Sequence, residues 1–316
     1  MWACQNSRLI PDAPFRRLRV PASSANLGPG FDALGLALGV YLEVCFRPAP
    51  SLRIQVEGRD AASISTADDN LIWQTALKIA SDAGCTLPPV ELEIVNHIPL
   101  GKGLGSSAAA LTAGVVMADA LLGLHWPPQR VLNEAARIEG HPDNVAACVL
   151  GSMVASAIDS EGVARAVRLE LHPRYAVAVV VPDFPLPTAE ARRALPDSYS
   201  RADTIFNVQR SALLITALAT GATSAFPTAL EDRLHQPYRA PLVPGLDEIL
   251  KLRAPGLLGC SLSGAGPSIL VFYERGQEKV CELIRQVFAS KGHQSEVMWT
   301  ELASAGYELS KDASST

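Results

Sequence analysis

The stretch "PLGKGLGSSAA", Pro99 to Ala109, carries three glycines at alternate positions, Gly101, Gly103 and Gly105, followed at once by Ser106 and Ser107. Without a Cβ, alternate glycines let backbone N–H groups crowd around an anion. A helix opening at the serines adds free N–H groups and the positive end of its dipole. The serine hydroxyls can bond phosphate or ligate a metal. The competing reading is a glycine turn that lets a strand and a helix pack closely. Two familiar loops are excluded by spacing. A Walker A loop needs Lys after its second glycine with Ser or Thr next, and Lys102 comes too early. A G-x-G-x-x-G turn fails because Gly103 is followed by Leu104, Gly105 and Ser106.

Three other stretches have the residue types to join such a loop. "PASSANLGPGFDALG", Pro21 to Gly35, sets serines, Asn26 and Asp32 between apolar segments and is either a polar loop or part of a site. "SLSGAGPS", Ser261 to Ser268, is either a phosphate-facing loop or a hairpin turn. "EGHPDNVA", Glu139 to Ala146, places Asp143 and Asn144 at a helix start, where they either cap the helix or face the glycine loop.

The elements that must position these residues follow from periodicity. "LEVCFRP" and "LRIQVEG" alternate apolar and polar residues around "APS" and predict a β-hairpin. "DNLIWQTALKIASDAG" predicts a helix with an Asp/Asn start and a Gly84 stop. "VELEIVNHI" predicts the strand entering the glycine loop, and Ala108 to Leu122 a buried helix leaving it. "PQRVLNEAARIEG" is an amphipathic helix. "GSMVAS" and "ARAVRLEL" flank "DSEG" as a hairpin. Tyr175 to Val181 is a buried strand and Thr204 to Ala219 a long helix. "LLGCSLSGAGPSILVFYE" reads strand–turn–strand, Gln277 to Ala289 helix, and "SEVMWTEL" a last strand. Irregular alternation with hairpins predicts an α+β fold rather than a doubly wound parallel sheet.

With 316 residues, one large domain or two of ordinary size are expected. Hydrophobic residues at 48% and charged ones at 19% give a globular profile with ample core. A net charge of −5, with no Lys/Arg run beyond two, argues against a nucleic-acid surface. The six cysteines form no C-x-x-C pair and read as buried reduced thiols. Scattered histidines argue against structural zinc. The first eighteen residues lack the apolar core of a signal peptide, and no apolar run approaches the ~20 residues of a membrane span. A cytoplasmic protein is expected.

Taken together, these stretches resemble the GHMP kinase superfamily and, within it, the homoserine kinases. "VPASSANLGPGFDALGLAL" is similar to the first homoserine kinase motif, "PLGKGLGSSAA" to the superfamily's ATP loop and "SLSGAGPS" to its third motif. "EGHPDN", "PTAEAR" and "QPYR" also resemble homoserine kinase segments, and all six occur in the family's order over nearly the whole chain. The resemblance implies an α+β, two-domain fold. An N-terminal domain like the second domain of ribosomal protein S5 spans 15–165, a ferredoxin-like C-terminal domain spans 166–309, and 310–316 form a disordered tail. It further implies transfer of a phosphoryl group from ATP to the side-chain hydroxyl of L-homoserine in threonine biosynthesis, with Mg²⁺, in a homodimer. The alternatives are another GHMP small-molecule kinase or a non-catalytic sensor on the same fold.

Site roles follow from the resemblance, residue by residue. Pro99, Leu100, Gly101, Lys102, Gly103, Leu104, Gly105, Ser106, Ser107 and Ala108 form the ATP loop. Lys102 stands where the family often has a small residue, and is either a phosphate contact or a solvated charge. Asn70 is an adenine-side residue. Ser107 and Glu134 hold the metal, with Glu139 as the rival carboxylate. The substrate carboxylate calls for the planar fork of arginine, supplied by Arg192 and Arg239, with Arg233 the nearby alternative. Asp32 and Asn26 suit the ammonium group. Asn144 and Asp143 approach the reacting hydroxyl, Asp143 as orienting group or base, and His141 either lines the pocket or packs.

Overall fold

The computed structural model describes residues 14–311. The first lobe is a seven-stranded sheet covered by helices. Its strands are β1 (Arg16–Ala25), β2 (Leu34–Pro48), β3 (Arg53–Gly58), β4 (Val90–Asn96), β5 (Met153–Ile158) and β6 (Ala164–Leu169), joined by β11 (Glu308–Lys311) from the far end of the chain. The main path runs β11-β1-β2-β4-β3, and the start of β2 also pairs with β5, which pairs with β6. In β4, Val90, Leu92, Ile94 and Asn96 are buried and alternate with more exposed residues, the period-two pattern of a strand with one face on the core.

Helices α1 (Leu71–Asp82), α2 (Ser106–Leu122), α3 (Pro128–Glu139) and α4 (Asp143–Leu150) belong to this lobe. Asn70 caps α1, its side chain accepting from the N–H groups of Ile72 and Trp73. Helix α2 is small-residue rich because α1 lies tight against it. A Cβ on Gly114 would fall 2.5 Å from the Thr75 Cβ and 2.6 Å from the Ile72 carbonyl oxygen.

The second lobe has β7 (Tyr175–Pro182), α5 (Thr188–Arg193), α6 (Arg201–Thr220), α7 (Gln236–Arg239), α8 (Leu246–Ile249), β8 (Leu257–Leu262), β9 (Ile269–Glu274), α9 (Cys281–Ser290) and β10 (Ser295–Trp299). Its antiparallel sheet, in the order β10-β7-β9-β8, is the ferredoxin-like arrangement. Both faces of β7 are buried, which explains its continuous apolar run. Val177, Val179 and Val181 join the core shared with the first lobe, while Ala178 and Val180 join a second core under α9.

Long-range pairing departs from the local reading in three places. Strands β2 and β3 are not a hairpin: β4 lies between them, antiparallel to β2 and parallel to β3. The chain passes through α1 to make that parallel pair, and strand alternation carries no record of the partner. Strand β6 runs to Leu169, past the boundary expected at 165. The disordered tail expected over 310–316 fails at its first two residues, since Ser310 and Lys311 pair with Arg17 and Arg16 of β1; 312–316 lie outside the described residues. Cys148, Cys260 and Cys281 are buried and free, whereas Cys85, expected as a reduced thiol, is disulfide-bonded. No helix of the described residues is long and apolar enough to cross a membrane.

Candidate active site

Between β4 and α2 the chain turns through Gly101, Gly103 and Gly105, with φ of 65°, 73° and 66°. Gly105 precedes the first residue of α2 and gives no side-chain cap. The carbonyls of the loop are taken by protein donors. Gly101 accepts from the N–H of Leu186, Gly103 from the Ser263 hydroxyl and Leu104 from the N–H of Ser23. Among the described residues, the N–H groups from Gly103 to Ser107 meet no acceptor. The loop therefore offers donors and hides acceptors, as an anion cradle must.

The glycines also answer a packing demand. A Cβ on Gly103 would fall 2.1 Å from the Ser263 carbonyl oxygen, and one on Gly105 would fall 2.0 Å from the Ser23 hydroxyl. The loop is pressed between the turn after β8 and the end of β1, and positive φ at both positions already excludes most side chains. "SLSGAGPS" therefore acts mainly as a brace: Ser263 bonds Ser24 at 2.8 Å as well as Gly103 at 2.7 Å, and Gly264 and Ala265 reach the cleft.

A cleft of about 100 Å³ opens at this loop. It is lined by Gly101, Gly103, Leu104, Gly105, Ser106 and Ser107 together with Asn26, Asp32, His141, Asp143, Asn144, Arg192 and Arg239. Ser106 and Ser107 also border a second cavity of about 320 Å³, which takes in Asn70, Leu100, Ile72 and Ile94. Pro99, Lys102 and Ala108 line neither cavity. Lys102 turns away to donate to the Pro182 carbonyl at 2.8 Å, and burial pushes its pKa down.

Asn26 and Asp32 sit in left-handed backbone, φ 70° and 54°. The Asn26 amide donates to the Gly264 carbonyl at 2.8 Å and accepts from the Asp32 N–H at 3.0 Å, which folds the turn between them. Arg192 spans the cleft from α5 and grips both Asp32 oxygens, at 2.9 and 3.2 Å. Arg239 is 1% exposed and has no carboxylate partner among the described residues. Burial, and then the nearby Arg192 charge, push its pKa down to about 10. Arg233 lies outside the cleft, exposed and paired with Asp203 at 3.2 Å.

At the start of α4, one Asp143 oxygen accepts from the Asn144 N–H at 2.7 Å and lies 2.6 Å from His141 Nδ1. Burial is the largest single influence and works against charge on His141, but the Asp143 bond together with the Asp143 and Glu139 charges raises the pKa above the usual histidine value. Asn144 accepts from the Ser23 hydroxyl at 2.9 Å. Side-chain oxygens and nitrogens of Asp32, His141 and Asp143 lie within 4.8 Å of one another, with the carboxylates already engaged by Arg192, His141 and Asn144.

The metal carboxylate expected at Glu134 is not here. That side chain is held between Arg130 at 2.6 Å and Arg137 at 2.9 Å and does not line the cleft. Glu139, the last residue of α3, does line it, with its carboxylate 3.5 Å from the Ser107 hydroxyl. Burial raises its pKa. Sequence reading also passed over Thr188, which opens α5 and lines the cleft, although it stands in the quoted "PTAEAR". The supporting role of Ser23 and Ser263 had no local signal, since each acts on a loop far away in the chain.

Comparison with known proteins identifies the family. The GHMP kinases N terminal domain matches residues 70–152, and the GHMP kinases C terminal domain matches 214–290. The homoserine kinase of Solibacter usitatus is 67% identical over 294 residues, which are 93% of this chain and 97% of that protein. That of Deinococcus radiodurans is 43% identical over 299 residues, 94% and 97% of the two chains. The crystal structure of homoserine kinase from Cytophaga hutchinsonii superimposes with a TM-score of 0.82 at 26% identity, covering 96% of this chain and all of that one. Matched by both GHMP kinase domains and along nearly its whole length by homoserine kinases, the chain belongs to the homoserine kinase family of GHMP kinases.

Proposed function

We propose that the cleft at the glycine loop is where this chain transfers the γ-phosphoryl group of ATP to the side-chain hydroxyl of L-homoserine, giving O-phospho-L-homoserine for threonine biosynthesis. The family makes the chain an ATP-dependent kinase acting on a small molecule. One observation carries the assignment of the site. A loop of unpartnered N–H groups, two arginines, an acidic group and the Asp143–Asn144 pair converge on one cavity from both lobes.

The triphosphate would lie along Gly103 to Ser107, with the nucleoside in the neighbouring cavity beside Asn70, Ile72 and Ile94. The amide oxygen of Asn70 caps α1 and its NH2 group donates to the Ser65 carbonyl at 2.7 Å, so in this reading it shapes the cavity more than it reads the base. Ser107 and Glu139 are hard oxygen donors side by side, a set that suits Mg²⁺, which favours one or two carboxylates with phosphate oxygens. When bound there, Mg²⁺ neutralises charge developing on the phosphate oxygens.

The α-carboxylate of the amino acid would go to Arg239 and Arg192, and its ammonium group to Asp32 and Asn26. A zwitterion placed so supplies the anion that Arg239 lacks and shares the Arg192–Asp32 pair. The hydroxyl then points to Asn144 and Asp143, which orient it toward the loop. Phosphoryl transfer through a loose transition state needs positioning and charge stabilisation more than a strong base. A homodimer is part of the same reading, tested by sedimentation. The deciding assay compares L-homoserine with 3-aminopropan-1-ol, the same molecule without its carboxylate. Strong preference for homoserine is expected, and equal turnover of both would refute the carboxylate pocket.

A further inference from the structure

Arg239 is buried and cationic, and its guanidinium needs a fixed orientation to present a fork. Its Nε donates to the Ala191 carbonyl at 3.3 Å and its Nη1 to the Gly264 carbonyl at 3.1 Å. Nη1 also lies 3.1 Å from Nδ1 of His235, a histidine with no measurable exposure. Nη2 has no partner among the described residues and is left for the cleft.

The hydrogen-bond pattern fixes the state of this imidazole. A guanidinium can only donate, so Nδ1 must be the acceptor and carry no proton. Nε2 is 2.7 Å from the Gly28 carbonyl, which can only accept, so the proton is on Nε2. His235 is therefore the neutral Nε2–H tautomer. An imidazolium would turn a donor toward Arg239 and place two cations side by side. Burial works the same way and, with the Arg239 charge, outweighs Asp232 and holds the pKa below the usual histidine value.

The imidazole is itself clamped. Its ring stacks on Phe31, centroids 5.3 Å apart and planes 21° from parallel, and the Arg239 guanidinium carbon lies 5.5 Å from the centre of the same ring. Asp232 accepts from the N–H groups of Leu234, His235 and Gln236 and from the Asn207 amide, which fixes the entry to α7. The first-motif turn, through Gly28 and Phe31, is thus joined by one side chain to the arginine of α7.

We propose that neutral His235 is a positioning residue for amino-acid recognition, holding Arg239 so that its free edge meets the substrate carboxylate. This rests on the carboxylate pocket proposed above. His235→Phe keeps a flat ring against Phe31 and removes both nitrogen contacts. His235→Asn can return an acceptor near the position of Nδ1. In the Phe variant the homoserine KM is expected to rise about tenfold or more, as for loss of a hydrogen bond to a charged group. The ATP KM should stay within about twofold and the preference for homoserine over 3-aminopropan-1-ol should shrink. The Asn variant should recover most of the homoserine KM. A parallel rise in both KM values would mark His235 as a general packing residue and overturn the proposal, as would no change in the homoserine KM.

Two controls separate the possible failures. If the wild-type enzyme does not discriminate against 3-aminopropan-1-ol, the carboxylate pocket itself is wrong. If it discriminates and the Phe variant does so equally well, only the role of His235 is wrong. Should the Phe variant not fold, ¹⁵N spectra of the wild-type imidazole at neutral pH still decide. One bare nitrogen and one protonated nitrogen are expected, and two protonated nitrogens would sink the idea.

Discussion

At the scale of single residues, the choice between Glu134 and Glu139 shows what spacing can resolve. Five residues apart on a helix, the two side chains point about 140° from each other, since each residue turns the helix by about 100°. Only one can face the glycine loop, and it is Glu139, while Glu134 closes an ion-pair cluster with Arg130 and Arg137. Glu139→Gln should lower turnover by orders of magnitude, with partial recovery at high Mg²⁺. Glu134→Gln should keep kcat and lower Tm instead. The reverse pattern would return the metal to Glu134. The arginines divide in the same way. Arg239→Lys keeps a charge but loses the fork, and truncating a buried charged contact costs about 2–5 kcal/mol, or roughly thirtyfold to several thousandfold in the homoserine KM. Arg233→Lys changes an exposed pair with Asp203 and a contact over the Phe206 ring, both outside the cleft, and should leave that KM within about twofold.

At the scale of elements, the glycine loop is held from outside more than by its own sequence. Its shape depends on Ser23 at the end of β1 and on Ser263 after β8. Gly103→Val would place its Cβ against the Ser263 carbonyl under positive φ, so ATP affinity and Tm should fall together. ATP affinity down by more than tenfold, about 1.4 kcal/mol, is expected by calorimetry. A folded variant with unchanged affinity would show that the loop does not hold the nucleotide. Helix packing gives a contrasting case. Gly114→Val in α2 meets Thr75 and the Ile72 carbonyl of α1, outside the cleft but behind a residue that borders the neighbouring cavity. Overpacking of about 1–3 kcal/mol should lower Tm while the homoserine KM at 25 °C stays close to wild type.

At the scale of the whole molecule, the site exists only because two lobes close on it. The first supplies the loop, Glu139, Asp143 and Asn144, and the second supplies Arg192 and Arg239. The chain crosses back through Ala303, buried in the shared core, and returns as β11 on the edge of β1. Deleting residues 308–316 removes that edge strand and exposes the backbone of Arg16 to Arg19. A lower Tm is expected, with catalysis retained at temperatures where the protein stays folded. Loss of all activity in a folded truncation would mean that the returning strand sets the lobe arrangement itself.

Much of this protein was legible in the sequence because its signals are local. Glycine spacing marked the loop, and Asn70 and Gly123 marked helix ends, since backbone conformation and capping depend on a few neighbouring residues. Six motifs in order named the family, and with it the α+β two-lobe fold and the kinase reaction. Only the tertiary structure decided what depends on residues distant in the chain. It put β4 between β2 and β3, because alternation declares a buried face but not a partner. It turned Lys102 to the Pro182 carbonyl, faced Glu139 rather than Glu134 to Ser107, and joined His235 to Arg239 and Gly28. A side chain's direction is set by the packing of its element against others, and that packing is a property of the whole fold.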